Sequence, residues 1–309
     1  MFFLLFINDI INLGGFMERY SFDEELKNFK NERIKNSAMT VLNNLPDYFF
    51  KVPASSTGKY HPAYALGESG LVRHVQVAMK WLEEIFRSEI LGVFDDDTKD
   101  LMRMALLLHD GFKSGIDNCG HTVCEHPIIM SNYLLENKYK LSLRNSEVKF
   151  VARLILSHMG KYNTNYNKEE IMPKPETINQ RIIYLCDLIA SREWINVSFE
   201  GNKILDGEPM YNKKDLLQVA SKIMDEIFKG EVFGAFDEEK QGLMQMALQI
   251  LIENDQEINM SRPESTFQQI IRLCEFMASR GWLRISFFND KIVSSVLVRS
   301  PKNGNIKKL

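Results

Sequence analysis

Apolar residues along this chain recur at spacings of three and four over long windows, while strict alternation at spacing two is rare. The pattern predicts a mainly α fold. Helical periodicity is strongest over about 71–90, 95–110, 127–138, 146–159 and 176–193, after an opening helical segment at 22–48. Between these, "VPASSTGKYHPAYALGESG" (52–70) is rich in Pro, Gly and Ser and reads as a loop.

The apolar pattern repeats. "VAMKWLEEIFRSEILGVFDDDTKDLMRMAL" (77–106) aligns without gaps on "VASKIMDEIFKGEVFGAFDEEKQGLMQMAL" (219–248), an offset of 142. "PETINQRIIYLCDLIASREWINVSF" (175–199) aligns on "PESTFQQIIRLCEFMASRGWLRISF" (263–287), an offset of 88. The second copy is therefore 54 residues shorter between the matched blocks. Each copy ends in a segment expected to form a hairpin, "INVSFEGNKIL" and "LRISFFNDKIVSSVLV", with Gly-Asn and Asn-Asp at the turns. The expected organisation is an upstream extension over 1–16, a helical segment and loop over 17–70, a first unit over 71–199, a shortened second copy over 200–290 and a basic tail over 291–309.

Composition narrows the class. A net charge of −3 and a pI near 6.1 give no strongly basic nucleic-acid footprint over the whole chain, although a local patch would be hidden in that average. Four scattered cysteines, Cys119, Cys124, Cys186 and Cys274, do not make a disulfide framework, so a reducing, cytoplasmic setting is expected. "MFFLLFIND" reaches Asp9 too soon to span a bilayer and has no basic leader, and a polar helical pattern begins at Met17. No membrane partner is expected.

All six histidines, His61, His74, His109, His121, His126 and His158, fall between residues 61 and 158, and none lies in the second copy. His74 shares a helix face with Val77, Ala78 and Trp81; His109 continues the stripe of Met102, Ala105 and Leu106; His158 follows Val151, Leu154 and Ile155. Asp187 is carried on the face of Ile183, Tyr184 and Ala190. Taken singly, each histidine reads as a hydrogen-bonded core or surface residue. Taken with the His109-Asp110 step and Asp187, they read as a metal site, because a carboxylate carried into a core needs a strong partner. Imidazole with carboxylate suits one or two divalent ions of Mn, Fe, Co, Ni or Zn better than Ca.

The ordered set His74, His109-Asp110, His126, His158 and Asp187 resembles the HD superfamily of metal-dependent phosphohydrolases. "LLLHDGFK" looks like its apolar run, His-Asp doublet and following Lys; "SGLVRHVQVA", "EHPIIMSNYL" and "ILSHMGKY" resemble its other histidine segments. "PAYALGESGLVRH" with "ILSHMGK" is closest in style to HD-type 3′ to 5′ exoribonucleases, without an N-terminal strand-rich module like theirs. The resemblance covers about 52–199. It departs where His158 is followed by Met159 rather than a second His, and where Gly111 sits one place early before Phe112 and Lys113.

The resemblance implies an HD-type helical bundle in which His74, His109, Asp110 and Asp187 hold one metal. Asp110 would bridge to a second ion on His126 and His158; with one ion, those two histidines would face phosphate or the leaving group. Asp110 and Lys113 are then the catalytic pair, Lys113 offsetting charge that develops on phosphorus. His61, Lys59 and Arg73 are expected at the mouth of the site as substrate-binding residues, each against a purely structural role. "CGHTVCEH" (119–126) has the outline of a zinc clip, but a single cluster without a second Cys or His pair reads more simply as a polar loop.

The second copy serves as an internal comparison. His74, His109, Asp110 and Asp187 become Leu216, Leu251, Ile252 and Glu275, while Cys186 and Cys274, Trp194 and Trp282, and Arg192 and Arg280 match. The expected function is hydrolysis of a phosphomonoester or phosphodiester on a nucleotide or single-stranded nucleic-acid end. The rival is a nucleotide-sensing module without turnover. The oligomeric state is not legible.

Overall fold

Two groups of helices share one continuous core that runs from Phe22 to Leu283. The computed structural model describes residues 21–58, 61–208, 212–254 and 265–295. The first group comprises α1 (Asp23–Leu26), α2 (Glu32–Leu42), α3 (Gly70–Ser88), α4 (Asp96–Leu108), α5 (His126–Glu136), α6 (Asn145–Leu156) and α7 (Ile178–Ala190). The second comprises α8 (Lys213–Gly230), α9 (Glu238–Glu253) and α10 (Thr266–Ala278). Short strands β1 (Ile195–Asn196), β2 (Phe199–Glu200), β3 (Lys203–Ile204), β4 (Arg284–Phe288) and β5 (Lys291–Val293) complete it. The mainly α expectation holds.

Helix α3 is the centre of the first group. Apolar residues at i, i+3 and i+4 give it a continuous buried face through Leu71, Val75, Ala78, Leu82 and Ile85, which packs on α4 and α7. Its start is steric: Ser69 adopts a left-handed conformation, and a Cβ on Gly70 would stand 2.2 Å from Ala65 O. The loop before α3 is thereby pressed onto the helix. Elsewhere the helices start on conventional caps, with Asp95 accepting from Thr98 N and Thr177 forming a capping box with Gln180.

The aligned segments agree in local detail. Asp237 caps α9 as Asp95 caps α4, and Ser265 with Gln268 caps α10 as Thr177 with Gln180 caps α7. Glu89 after α3 and Glu231 after α8 are both left-handed, with φ of 54° and 53°. Helices α8, α9 and α10 pack on one another, as α3, α4 and α7 do. One difference is plain: Leu243, Met246 and Ile250 of α9 are 56%, 58% and 51% exposed, whereas Leu101, Met104 and Leu108 of α4, which packs against α2 and α6, are 7% exposed or less. No described helix in the second group occupies the place of α6.

Several boundaries differ from the sequence expectation. The opening segment is broken because Lys30 N and Asn31 N donate to Asp100 Oδ2 instead of continuing a helix. The expected stretch resolves into α1, α2 and a 3-10 turn at Asp47–Phe50. Both expected hairpins form, β2–β3 around Gly201-Asn202 and β4–β5 around Asn289-Asp290, whose φ values of 47° and 58° suit a tight turn. β1 also pairs antiparallel with β4, a connection that local sequence does not show. Lys291–Val293 belong to β5, so the tail expected from 291 begins later. The expected extension over 1–16 and the tail beyond Ser295 lie outside the described residues. No helix among the described residues is long and apolar enough to cross a membrane.

Candidate metal centre

The donors arrive from five segments. His74 is one turn into α3, His109 and Asp110 follow the end of α4, His126 opens α5, His158 lies just past α6, and Asp187 is on α7. His109 and His158 thus sit in the tight turns that leave their helices rather than within them. The four histidine side chains and that of Asp110 are essentially inaccessible, and Asp187 retains partial exposure. Gly111 lets this turn close: a Cβ there would come within 2.8 Å of Leu45 Cδ2 and 2.9 Å of Met130 Sδ.

Three rings are oriented in one way. Nδ1 of His109, His126 and His158 lies 2.6, 2.7 and 2.7 Å from the carbonyls of Leu106, Val123 and Ile155. A carbonyl only accepts, so each Nδ1 donates and each Nε2 faces the cluster. Outer hydrogen bonds of this kind fix the tautomer of metal-ligating histidines. Around the centre, His74 Nε2 is 2.9 Å from Asp187 Oδ1, and His109 Nε2 is 3.4 Å from Asp110 Oδ2 and 3.5 Å from Asp187 Oδ1. His126 Nε2 is 3.0 Å from Asp110 Oδ1 and 3.3 Å from His158 Nε2.

These spacings fit a cation. Ligands held at ~2.1 Å from one ion stand ~3.0 Å apart along an octahedral edge and ~3.4 Å apart along a tetrahedral one. His74, His109 and Asp187 form one group of donor atoms within 4.8 Å of one another, and His109, Asp110 and His158 form a second. Three buried atoms of these residues, His74 Nδ1, His109 Nε2 and Asp110 Oδ1, have no hydrogen-bond partner, and the last two face the neighbouring donors of the cluster. Buried polar atoms left without partners are costly, and a divalent ion would satisfy those two. Asp110 directs Oδ2 toward His109 and His74 and Oδ1 toward His126 and His158, which is how a bridging carboxylate would be aimed.

The local field keeps both carboxylates charged. Burial pushes the Asp110 carboxyl up, but Lys113, His109 and His126 outweigh it and hold it well below the ordinary range. Burial is likewise outweighed at Asp187 by its close contacts with His109 and His74, which hold its carboxyl well below the ordinary range. His158, buried and beside His109, is driven down to about 3 and is neutral, as a ligand must be. For His109, burial alone would lower the value, and the two aspartates reverse that to a net rise.

The remaining expected site residues divide. His61 lies at the cluster, its ring edge-on to His74 at 5.3 Å, with Nδ1 buried and unpartnered. Lys113 Nζ contacts Asp110 Oδ2 at 2.5 Å, so in this structure its charge is directed at the aspartate. Arg73 donates to the carbonyls of Tyr64 and Leu66 and braces the loop before α3. Lys59 lies outside the described residues. In "CGHTVCEH", expected as a polar loop, Cys119 and His121 are exposed, no cysteine joins a metal-competent group among the described residues, and His126 belongs to the buried cluster.

Sequence reasoning missed the supports. Gln180 Nε2 donates to Ser157 Oγ and fixes the turn that presents His158. Tyr64 Oη donates to Ala190 O, and Ala63 N donates to Ser295 Oγ, so the His61 loop is tied both to α7 and to the end of the last hairpin. Only the Thr-x-x-Gln pattern at 177–180 signalled any of this. Comparison of the chain with protein-family models, curated proteins and solved structures returns no match.

Proposed function

We propose that the protein is a metal-dependent phosphohydrolase acting on a phosphate ester of a nucleotide or of a single-stranded nucleic-acid end. One observation carries the reading: His74, His109, Asp110, His126, His158 and Asp187 converge at ligand spacing, with Asp110 offering one oxygen to each side. The convergence supports one or two divalent transition-metal ions. Such an ion lowers the pKa of a water toward ~7 and polarises phosphoryl oxygens, the two things phosphate-ester hydrolysis needs.

The protein's own groups do the rest. His109, His126 and His158 are fixed in one tautomer by backbone carbonyls, so no reorganisation is needed when a cation binds. Lys113 keeps Asp110 ionised and places an ammonium at the edge of the cluster, where it offsets negative charge that develops on phosphorus. His61, with a free Nδ1, meets the substrate.

The test is phosphate release from nucleoside mono-, di- and triphosphates and shortening of end-labelled single-stranded RNA, each with Mn²⁺ added. Turnover that falls by ~10²–10⁴-fold in Asp110→Asn supports the reading. Full metal loading with tight nucleotide binding and no turnover on any substrate overturns it in favour of a sensing module. Dependence of rate on RNA length separates exonucleolytic from small-nucleotide hydrolysis.

A further inference from the structure

The contacts between the two helical groups are reciprocal. Arg192, after α7, reaches Glu226 on α8 with Nη1 to Oε2 at 3.2 Å; Arg280, after α10, reaches Glu84 on α3 with Nη1 to Oε2 at 3.5 Å. At the repeat offsets of 88 and 142, Arg192 corresponds to Arg280 and Glu84 to Glu226. Each half therefore gives an arginine to the other half's equivalent glutamate. Both arginines also close their own helix in the same way, Nε to Leu188 O or Phe276 O, and Nη2 to Ser191 Oγ or Ser279 Oγ. The strands agree: Asn196 and Arg284, equivalent at offset 88, stand directly opposite each other in the β1–β4 pair.

Reciprocal contacts of this kind define an isologous interface, in which residue i of one half meets j of the other and j meets i. We infer that the second half, residues 213–295, takes the place of a two-fold-related dimer partner within the chain, and that it braces α7, and with it Asp187, through the Arg192–Glu226 pair. Its lack of metal ligands fits this role. A fused partner needs its interface but not its chemistry, and the ion-pairing Arg192/Arg280 and Glu84/Glu226 match while the ligands have become Leu216, Leu251, Ile252 and Glu275. Tyr184, one turn before Asp187, adds a second tie by donating to Gly230 O at 2.9 Å.

The brace acts on the helix rather than on the ion, so Arg192 and Glu226 are positioning residues. Only the consequence for metal affinity rests on the proposed function. The test uses the full chain as wild type, Glu226→Gln and Glu84→Gln. Two properties are read: amide hydrogen exchange in the absence of metal, and Mn²⁺ affinity by titration.

Glu226→Gln leaves Arg192 its bonds to Ser191 and Leu188, so its effect reports the link between the halves. The expected result is exchange about tenfold faster at the C-terminal turns of α7, with α5 unchanged. Mn²⁺ affinity should fall roughly 3- to 10-fold, less than the ~10–100-fold of a residue that bonds a metal ligand directly. Glu84→Gln, by the two-fold, should loosen α10 and spare α7.

Unchanged α7 exchange in Glu226→Gln, or equal loosening of α7 by Glu84→Gln, overturns the inference. If the wild-type chain binds no Mn²⁺, the proposed function fails, and the exchange result still decides the brace.

Discussion

Gly160 is where backbone conformation, packing and the candidate centre meet. It lies two residues after His158 with φ of +55°, and a Cβ there would stand 2.1–2.4 Å from Cζ, Cε1 and Cε2 of Tyr184. The ring cannot withdraw easily: it is 2% exposed and its hydroxyl is bonded to Gly230 O. Gly160→Ala therefore incurs a left-handed backbone cost of ~1–2 kcal/mol. Overpacking against a buried ring adds ~1–3 kcal/mol, and displacing the Tyr184 hydroxyl about 1 kcal/mol more. The expected loss is ~3–6 kcal/mol, a fall of roughly 5–9 °C in melting temperature for a chain of this size.

Urea unfolding followed by circular dichroism measures it, and the same substitution in a Tyr184→Ala background separates the terms. Without the ring only the backbone cost of ~1–2 kcal/mol should remain. A loss under ~1 kcal/mol in the wild-type background, or an equal loss with and without the ring, would refute the packing argument.

Three further outcomes follow from other parts of the molecule. Arg103 joins the buried carboxylates Glu83 and Asp100 between α3 and α4, so Arg103→Met should cost ~3–5 kcal/mol in urea unfolding by stranding both charges. Leu108→Ala should cost ~2–5 kcal/mol, while Ile250→Ala at the equivalent but exposed position stays within ~0.5 kcal/mol. Glu147, hydrogen-bonded first by Arg33 and further by Arg144, is held at about 2 instead of 4.5. A depressed carboxyl stabilises the fold above its unfolded value, and that stability is lost as the pH falls from 4.5 through about 2. Because Arg33 is 34% and Arg144 71% exposed, screening leaves ~1–2 kcal/mol. Glu147→Gln should flatten acid unfolding across that window.

The helices of the first unit were legible because their apolar stripes and caps are local. α3 and α4 fall within two residues of the boundaries that periodicity predicts, and α4 and α7 start on the local caps Asp95 and Thr177. The donor set was legible as an order of residues, since five separate segments each bring a histidine or aspartate to an apolar face. What local pattern could not show was where the chain leaves its helices. His109 and His158 sit in turns fixed by Gly111 and Gly160, whose need for hydrogen in place of a side chain comes from Met130, Leu45 and Tyr184 elsewhere in the fold. Arg73 gave the same charge signal as a phosphate-binding residue, and only the carbonyls of Tyr64 and Leu66 reveal its work as a brace. The repeat revealed that Arg192 and Arg280 match, but their crossing to Glu226 and Glu84 is tertiary.

The measurement that bears most directly on the metal centre is elemental analysis of the full chain purified without chelator or affinity tag, beside Asp110→Asn verified as folded by circular dichroism. The account predicts about one or two transition-metal ions per chain in the wild type, their loss in the variant, and a melting temperature of the stripped wild type that rises on addition of Mn²⁺. Wild-type protein that carries no metal, takes up none of Mn²⁺, Fe²⁺ or Zn²⁺ and melts at the same temperature with and without them would contradict it.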